Sequence, residues 1–477
     1  MDLTIVPRYT QASAGAYVGK AAGTVDDLFG KYALVGTLVF VVVVFTFEMW
    51  LNLRQRRTYH SRKFPAHVEA TVSKIDIQRS KEGKKLKQSE DAIADSKDKV
   101  DPDAPLLPQL KSKFLSSQSY GLDKINFGII SACWGLAHSL CWTLIGAFPY
   151  MWDLSCHWGS KLGWTEEDDE IKISLVFLLL EVLSSTLMSL PFEIYSTFRI
   201  EKKHGFNKTT PHLFLTDKIK TLGLTAAIGG PAAAAVLKLI RWGGDRFYIY
   251  LWAFTFLFTT VMMTILPTFI MPLFNKYEPL PDGSLKDQIN SLADKIQFPL
   301  TKLFVVDGSK RSGHSNAYMF GFRRNKRIVL YDTLISQVTE EELCAILGHE
   351  LGTSEWEPRT HFYIMVVPHP IYDSQDIGLE DTRHSISASR RHILVLLSSS
   401  SLCASVASVL CMHLGLMTAH GRVKLGFGQQ LQSGLCKINI ENLGALSPDR
   451  LYSTYHYSHP PLTERLSAMM ALDSKMK

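Results

Sequence analysis

Glu340-Glu341-Glu342-Leu343-Cys344-Ala345-Ile346-Leu347-Gly348-His349-Glu350-Leu351-Gly352 is the stretch on which the reading of this chain turns, and Thr353 follows it. An acidic first turn, then Leu343, Ile346, Leu347 and Glu350 at helical spacing, predicts an amphipathic helix. In an H-E-x-x-H helix two imidazoles one turn apart reach a single Zn2+. The glutamate beside the first then serves as general base toward the metal-bound water. His349 and Glu350 fill the first two positions, but the fifth is Thr353. The spacing therefore describes a metallohydrolase helix with one imidazole missing.

Outward from this helix, residues 302–307 and 327–331 read as short strands. Gly313-His314-Ser315-Asn316-Ala317-Tyr318, with its Gly-containing turn, lies between them. A strand pair beside such a helix suits peptide chemistry, because an extended peptide can add to a strand edge and present its carbonyl.

Farther upstream the apolar residues are bunched. Residues 33–47, 125–152 and 247–275 carry no charge, 173–198 carries only Glu181 and Glu193, and 221–237 is a small-residue run containing Pro231. A spanning helix needs roughly 20 mostly apolar residues, which gives five spans before residue 280. A Ser-rich uncharged run at 393–420 is a further candidate. The first run follows about thirty largely polar residues and reads as an anchor rather than a cleaved leader. Ionisable residues inside spans are functional candidates; Glu181 is mid-span, whereas Glu193 sits close to the cytosolic end.

The formal charge is +6, and its distribution is informative. Arg54, Arg56 and Arg57 follow the first span, and Arg199, Lys202, Lys203, Lys208, Lys218 and Lys220 follow the third. The positive-inside rule places the N-terminus in the lumen and residues 54–124, 199–220 and 276 onward in the cytosol. Because the basic residues track membrane boundaries, their excess argues for the lipid bilayer as partner and against nucleic acid. The seven cysteines contain no C-x-x-C pair, so neither a disulfide framework nor a cysteine metal site is expected. Residues 75–112, rich in Lys, Asp, Ser and Gln, read as a disordered insertion in a cytosolic loop.

His204-Gly205-Phe206-Asn207, His314-Ser315-Asn316-Ala317-Tyr318, Gly348-His349-Glu350-Leu351-Gly352 and Ser458-His459-Pro460-Pro461-Leu462-Thr463-Glu464-Arg465 occur in this order. Together they resemble the CAAX prenyl protease 1 family, integral-membrane zinc endopeptidases of the endoplasmic reticulum and inner nuclear membrane. The resemblance implies a mainly α, multi-pass membrane helical bundle enclosing a chamber, with a small α/β zincin-like unit on the cytosolic side. It implies one Zn2+ per chain and, as partners, farnesylated CAAX-box proteins from which the C-terminal tripeptide is removed. By the same resemblance His349 is a zinc ligand and Glu350 the general base. Asn316 contacts substrate backbone, and His459 and Arg465 support the oxyanion.

That frame divides the chain into a lumenal N-terminus with the first span (1–65), a charged loop (66–118), four further spans (119–275) and a catalytic unit (276–352). An aberrant block (353–420) and a C-terminal segment of the catalytic domain (421–477) complete it. The aberrant block is where the chain departs from the family. The second histidine ligand falls on Thr353, and the glutamate ligand, expected in a Phe-Glu-x-x-Ala-Asp helix, has no counterpart. The block holds eleven serines and six of the sixteen histidines. A displaced reading frame or exon boundary would replace one block and restore the family sequence at its end; a paralogue that has lost catalysis is the other origin. Decay by point mutation should leave apolar spans recognisable, which favours the first. A single crossing in 393–420 would leave His459 and Arg465 across the membrane from His349.

Overall fold

The computed structural model describes residues 25–81, 104–321, 326–353, 428–457 and 460–476. The aberrant block beyond Thr353, with its candidate span, lies outside the described residues, as does His459. The chain begins with α1 (Val25–Tyr59), α2 (Ala66–Lys81), α3 (Leu106–Leu144) and α4 (Ala147–Lys161). Helix α5 (Glu170–Tyr195) runs into a π-helical turn at Ser196–Glu201. Helix α6 (Pro211–Leu224) is joined to α7 (Gly230–Trp242) by a second π-turn, and α8 (Phe247–Ile265) follows.

Five of these stretches are long and apolar enough to cross a membrane: Leu38–Tyr59, Leu106–Leu144, Glu170–Glu201, Pro211–Trp242 and Phe247–Leu273. Their apolar side chains face outward, with Ile130 62 % and Leu187 64 % exposed. Such surface is tolerable only in hydrocarbon, where a helix satisfies its own backbone polar groups. Between the second stretch and α4 the chain turns at Gly146, whose φ of 72° lies in the left-handed region that glycine adopts without penalty.

The expected disordered insertion is too wide. Ile75 in α2 and Leu106 and Leu110 in α3 are buried, so both flanks of 75–112 are ordered helix. The Asp76 carboxylate accepts from the Leu106 and Leu107 amides, at 2.9 Å each. An anion at a helix N-terminus satisfies donors with no intrahelical partner, which pins the start of α3 to α2. Average composition hid the apolar positions that make these two ends pack.

The first two spans meet through a small residue. A Cβ at Gly121 of α3 would run into the Tyr59 ring at the end of α1. Gly121→Leu should therefore lower the thermal unfolding midpoint in detergent, at a cost of about 1–3 kcal/mol. Tyr59→Ala combined with it should cost less than the two single changes added together.

After the last span the chain forms a mixed four-stranded sheet. Its strands are β1 (Tyr277–Pro279), β2 (Leu300–Val306), β3 (Ala317–Phe320) and β4 (Lys326–Tyr331), in the order β1-β2-β4-β3. The two expected strands are β2 and β4, paired in parallel, while β3 lies antiparallel to β4 at one edge. Helices α9 (Ser284–Lys295), α10 (Asp332–Gln337) and α11 (Glu340–Thr353) complete this unit. The C-terminal helices are α12 (Gly428–Glu441), α13 (Arg450–His456) and α14 (Leu462–Met476).

Helix α11 sits between two cores. Leu343, Cys344, Leu347 and Leu351 join the sheet and α9. Ala345 and Ile346 join a second core with Leu431, Leu435, Leu466 and residues of α2 and α3. The C-terminal segment is thus packed directly on α11, on the same side of the membrane. Asp449, just before α13, is bound to Arg54 at the end of the first span, at 2.8 Å. A single crossing in 393–420 would have separated these segments, whereas the C-terminal helices pack against α11. Hydrophobic contact between the two segments, which span counting does not register, fixes their common side.

Candidate functional site

The helix that carries His349 is positioned from its first turn. The Thr339 hydroxyl accepts from the Glu342 amide at 3.3 Å, and the Glu342 carboxylate accepts from the Thr339 amide at 2.9 Å. This reciprocal pair is a capping box, which satisfies two otherwise orphaned amides. Glu342 does more than cap. The Lys437 ammonium of α12 donates to it, with N–O distances of 2.7 and 2.9 Å, and the Ser433 hydroxyl donates at 2.6 Å.

Lys437 is fully buried and Glu342 5 % exposed. Burial alone would push the Glu342 carboxyl upward, but the Lys437 charge and the hydrogen bonds outweigh it and hold the group below the usual carboxylate range. Gly434, one turn before Lys437 on its helix, lets α12 approach Ile346 and the Glu342 stem.

From this anchored start α11 runs through His349 and Glu350 to Thr353. Residues four apart share a helix face, so Thr353 holds the place the second imidazole needs. The side chains of His349, Glu350 and Thr353 lie outside the described residues. Among the described residues no three His, Cys, Asp or Glu side chains converge as a metal group. The buried Cys344 thiol is pushed up to about 11, chiefly by burial, and stays protonated at neutral pH. A catalytic zinc takes three protein ligands of thiolate, imidazole or carboxylate type, and a threonine hydroxyl is none of these. Among the described residues no donor set that would fit a catalytic zinc ion is assembled.

Asn316 stands at the mouth of the edge strand. Its carbonyl accepts from the Tyr331 amide at 3.1 Å and its side-chain oxygen from the Ala317 amide at 2.9 Å, and the residue is exposed. Beyond it, β3 is the outer strand of the sheet among the described residues, the kind of edge to which an extended peptide can add. Tyr318 on this strand is hydrogen-bonded to Tyr277 at 2.8 Å. Burial first, then that bond, pushes its phenol well above the ordinary range.

Arg465 lies in the first turn of α14, beside the buried Leu466. Of the residues singled out from sequence, Asn316, just before β3, and Arg465, in α14, are thus described, and His349 and Glu350 belong to a described helix backbone. All four fall in one unit through α12, which contacts α11 and α14 and whose following residue Asn442 binds Ser315. Sequence reasoning gave no role to Glu342, Ser433, Lys437, Asn442, His314 or Glu201, although Glu342 and His314 stood in quoted motifs. The Thr339-x-x-Glu342 spacing was the legible signal for the first of these.

Two family models match the chain: "CAAX prenyl protease N-terminal, five membrane helices" over residues 106–276, and "Peptidase family M48" over residues 279–357. The CAAX prenyl protease 1 homolog of Arabidopsis thaliana is 36% identical, with 91% of this chain and 97% of that protein covered. The homolog of Homo sapiens is 34% identical, with 91% and 94% covered. The crystal structure of S. mikatae Ste24p superposes with a TM-score of 0.69 at 32% identity, covering 91% of this chain and 97% of that one.

Proposed function

This chain belongs to the CAAX prenyl protease family of M48 metallopeptidases, and from that premise we propose that it is a zinc-endopeptidase scaffold for farnesylated CAAX-box proteins whose own metal site is incomplete. In an intact member the reaction removes the C-terminal tripeptide. Here cleavage is impaired, because the second histidine and the glutamate ligand are absent from the sequence. The observation that carries this reading is Thr353, one turn from His349 on a helix whose first turn is capped and anchored to α12.

Zn2+ would supply a Lewis acid and an activated water if bound; His349 would be one of its ligands, and no further ligand group is assembled among the described residues. The protein's own groups have separate tasks. The β3 edge and Asn316 orient an extended tail, and Glu350 stands where a general base belongs. Arg465, with His459, supplies positive charge and a donor for developing oxyanion charge. The cytosolic face of the endoplasmic reticulum membrane, where prenylated tails insert, is the proposed location.

A second reading follows from the same missing ligands: a membrane protein that binds prenylated tails without cutting them. Both readings predict saturable binding of a farnesylated CAAX peptide to the full chain in lipid nanodiscs. Deleting the isoprenoid should weaken binding by at least about tenfold, since each 1.4 kcal/mol is a factor of ten and many apolar carbons are lost. Equal affinity for the farnesylated and bare peptides would exclude both.

A further inference from the structure

A polar node joins the membrane bundle to the start of the edge strand. At the end of the third span the π-turn delivers Glu201, whose carboxylate accepts from the Tyr120 hydroxyl of the second span at 2.8 Å. His314 Nε2 lies 3.4 Å from the same carboxylate and 3.2 Å from the Tyr120 hydroxyl. Its ring stacks on Phe206, with centroids 3.9 Å apart and planes inclined by 18°. His314 Nδ1 is 3.3 Å from Asn442 Oδ1, which also accepts from the Ser315 amide at 3.1 Å. The His314 carbonyl accepts from Thr333 at 3.1 Å, and the Gly313 amide donates to the Phe206 carbonyl at 2.8 Å.

Three chain regions far apart in sequence therefore hold one imidazole, and Asn316 is two residues away. Single π-turns in helices are frequent at functional sites. We infer that His314, clamped by Glu201 and Asn442, is the positioning residue that sets Asn316 and the outer edge of β3 in register to receive a substrate strand. The inference rests on the peptide-binding reading above and deepens it. The isoprenoid supplies most of the affinity, and the His314 clamp governs the share that comes from backbone pairing. Without the clamp the loop 312–316 loses its fixed reference to the spans, and the edge strand can no longer hold an incoming peptide in one register.

Two measurements on the full chain in nanodiscs test this. The first compares a farnesylated CAAX peptide with the same peptide N-methylated at the residue after the modified cysteine, which removes one strand donor. The unaltered chain should prefer the unmethylated peptide by about tenfold, the value of one well-placed strand hydrogen bond. In His314→Ala that preference should shrink to about twofold, the affinity for the unmethylated peptide falling more than that for the methylated one; His314→Gln should recover part of it. The second measurement is amide exchange. His314→Ala and Glu201→Gln should accelerate exchange at Ala317–Phe320 while Leu303–Val306 stays protected.

A retained tenfold preference, or an equal loss for both peptides with unchanged exchange in β3, would overturn the inference. If the unaltered chain bound neither peptide, the peptide-binding reading would fall by itself, and the exchange result would still decide whether His314 holds the strand.

Discussion

Lys437→Met should destabilise the peptidase unit by about 3–5 kcal/mol, the cost typical of removing one partner from a buried ion pair. Lys437 is fully buried and Glu342 nearly so. The change would leave a carboxylate in a low-dielectric interior with only Ser433 and the Thr339 amide as donors. Glu342→Leu combined with Lys437→Met should recover most of the loss, because paired apolar replacements remove the desolvation penalty along with the attraction.

The pair also sets a pH dependence. Glu342 is held below the usual carboxylate range in the folded chain, so its stabilising contribution is present above the unfolded value of about 4.3. That contribution is lost as pH falls through the lower folded value. Denaturation midpoints in detergent between pH 7 and pH 3 should show this slope in the unaltered chain and not in the double variant. Equal midpoints for Lys437→Met and the unaltered chain at pH 7 would show that the pair does not anchor α11.

Thr353→His alone should not restore peptide cleavage. It would bring the ligand count to two, one short of a catalytic zinc site. Pro358, five residues on, also disfavours helical backbone at Glu357 and so weakens support for the new imidazole. A chimera in which 353–420 is exchanged for the corresponding block of an intact family member restores both missing ligands. Its rate of tripeptide release should exceed that of Thr353→His on the order of a thousandfold or more, since loss of even one oxyanion donor already costs about 10^2–10^3 in kcat. Comparable zinc-dependent release by Thr353→His would require a third ligand elsewhere in the chain.

Much of this architecture was legible because lipid and periodicity leave strong marks. Apolar runs with few or no charges located the five membrane-capable stretches among the described residues, and strands β2 and β4 were found within two residues at each end. Strand β1 was not legible, being three residues ending in Pro279, and Ala317–Phe320 gives too short an alternation to announce an edge strand. The buried Lys437 was invisible for a different reason. A lysine in an amphipathic helix ordinarily belongs on the wet face, and only contact with α11 from a segment some ninety residues earlier makes its burial tolerable. The His314 node was hidden likewise, because its partners come from residues 120, 201 and 442. Asn316 was found through resemblance and not through composition. The resemblance joined 421–477 to the unit that carries α11, whereas counting spans across 353–420 could not register the packing of α12 on α11.

The most direct test of the proposed incomplete metal site is zinc content and cleavage measured together on the unaltered full chain, purified in lipid nanodiscs with Zn2+ supplied. Well under one zinc per chain, saturable binding of a farnesylated CAAX peptide and no tripeptide release are the expected results. One tightly held zinc per chain, with release that chelators abolish and Glu350→Gln removes, would contradict the account.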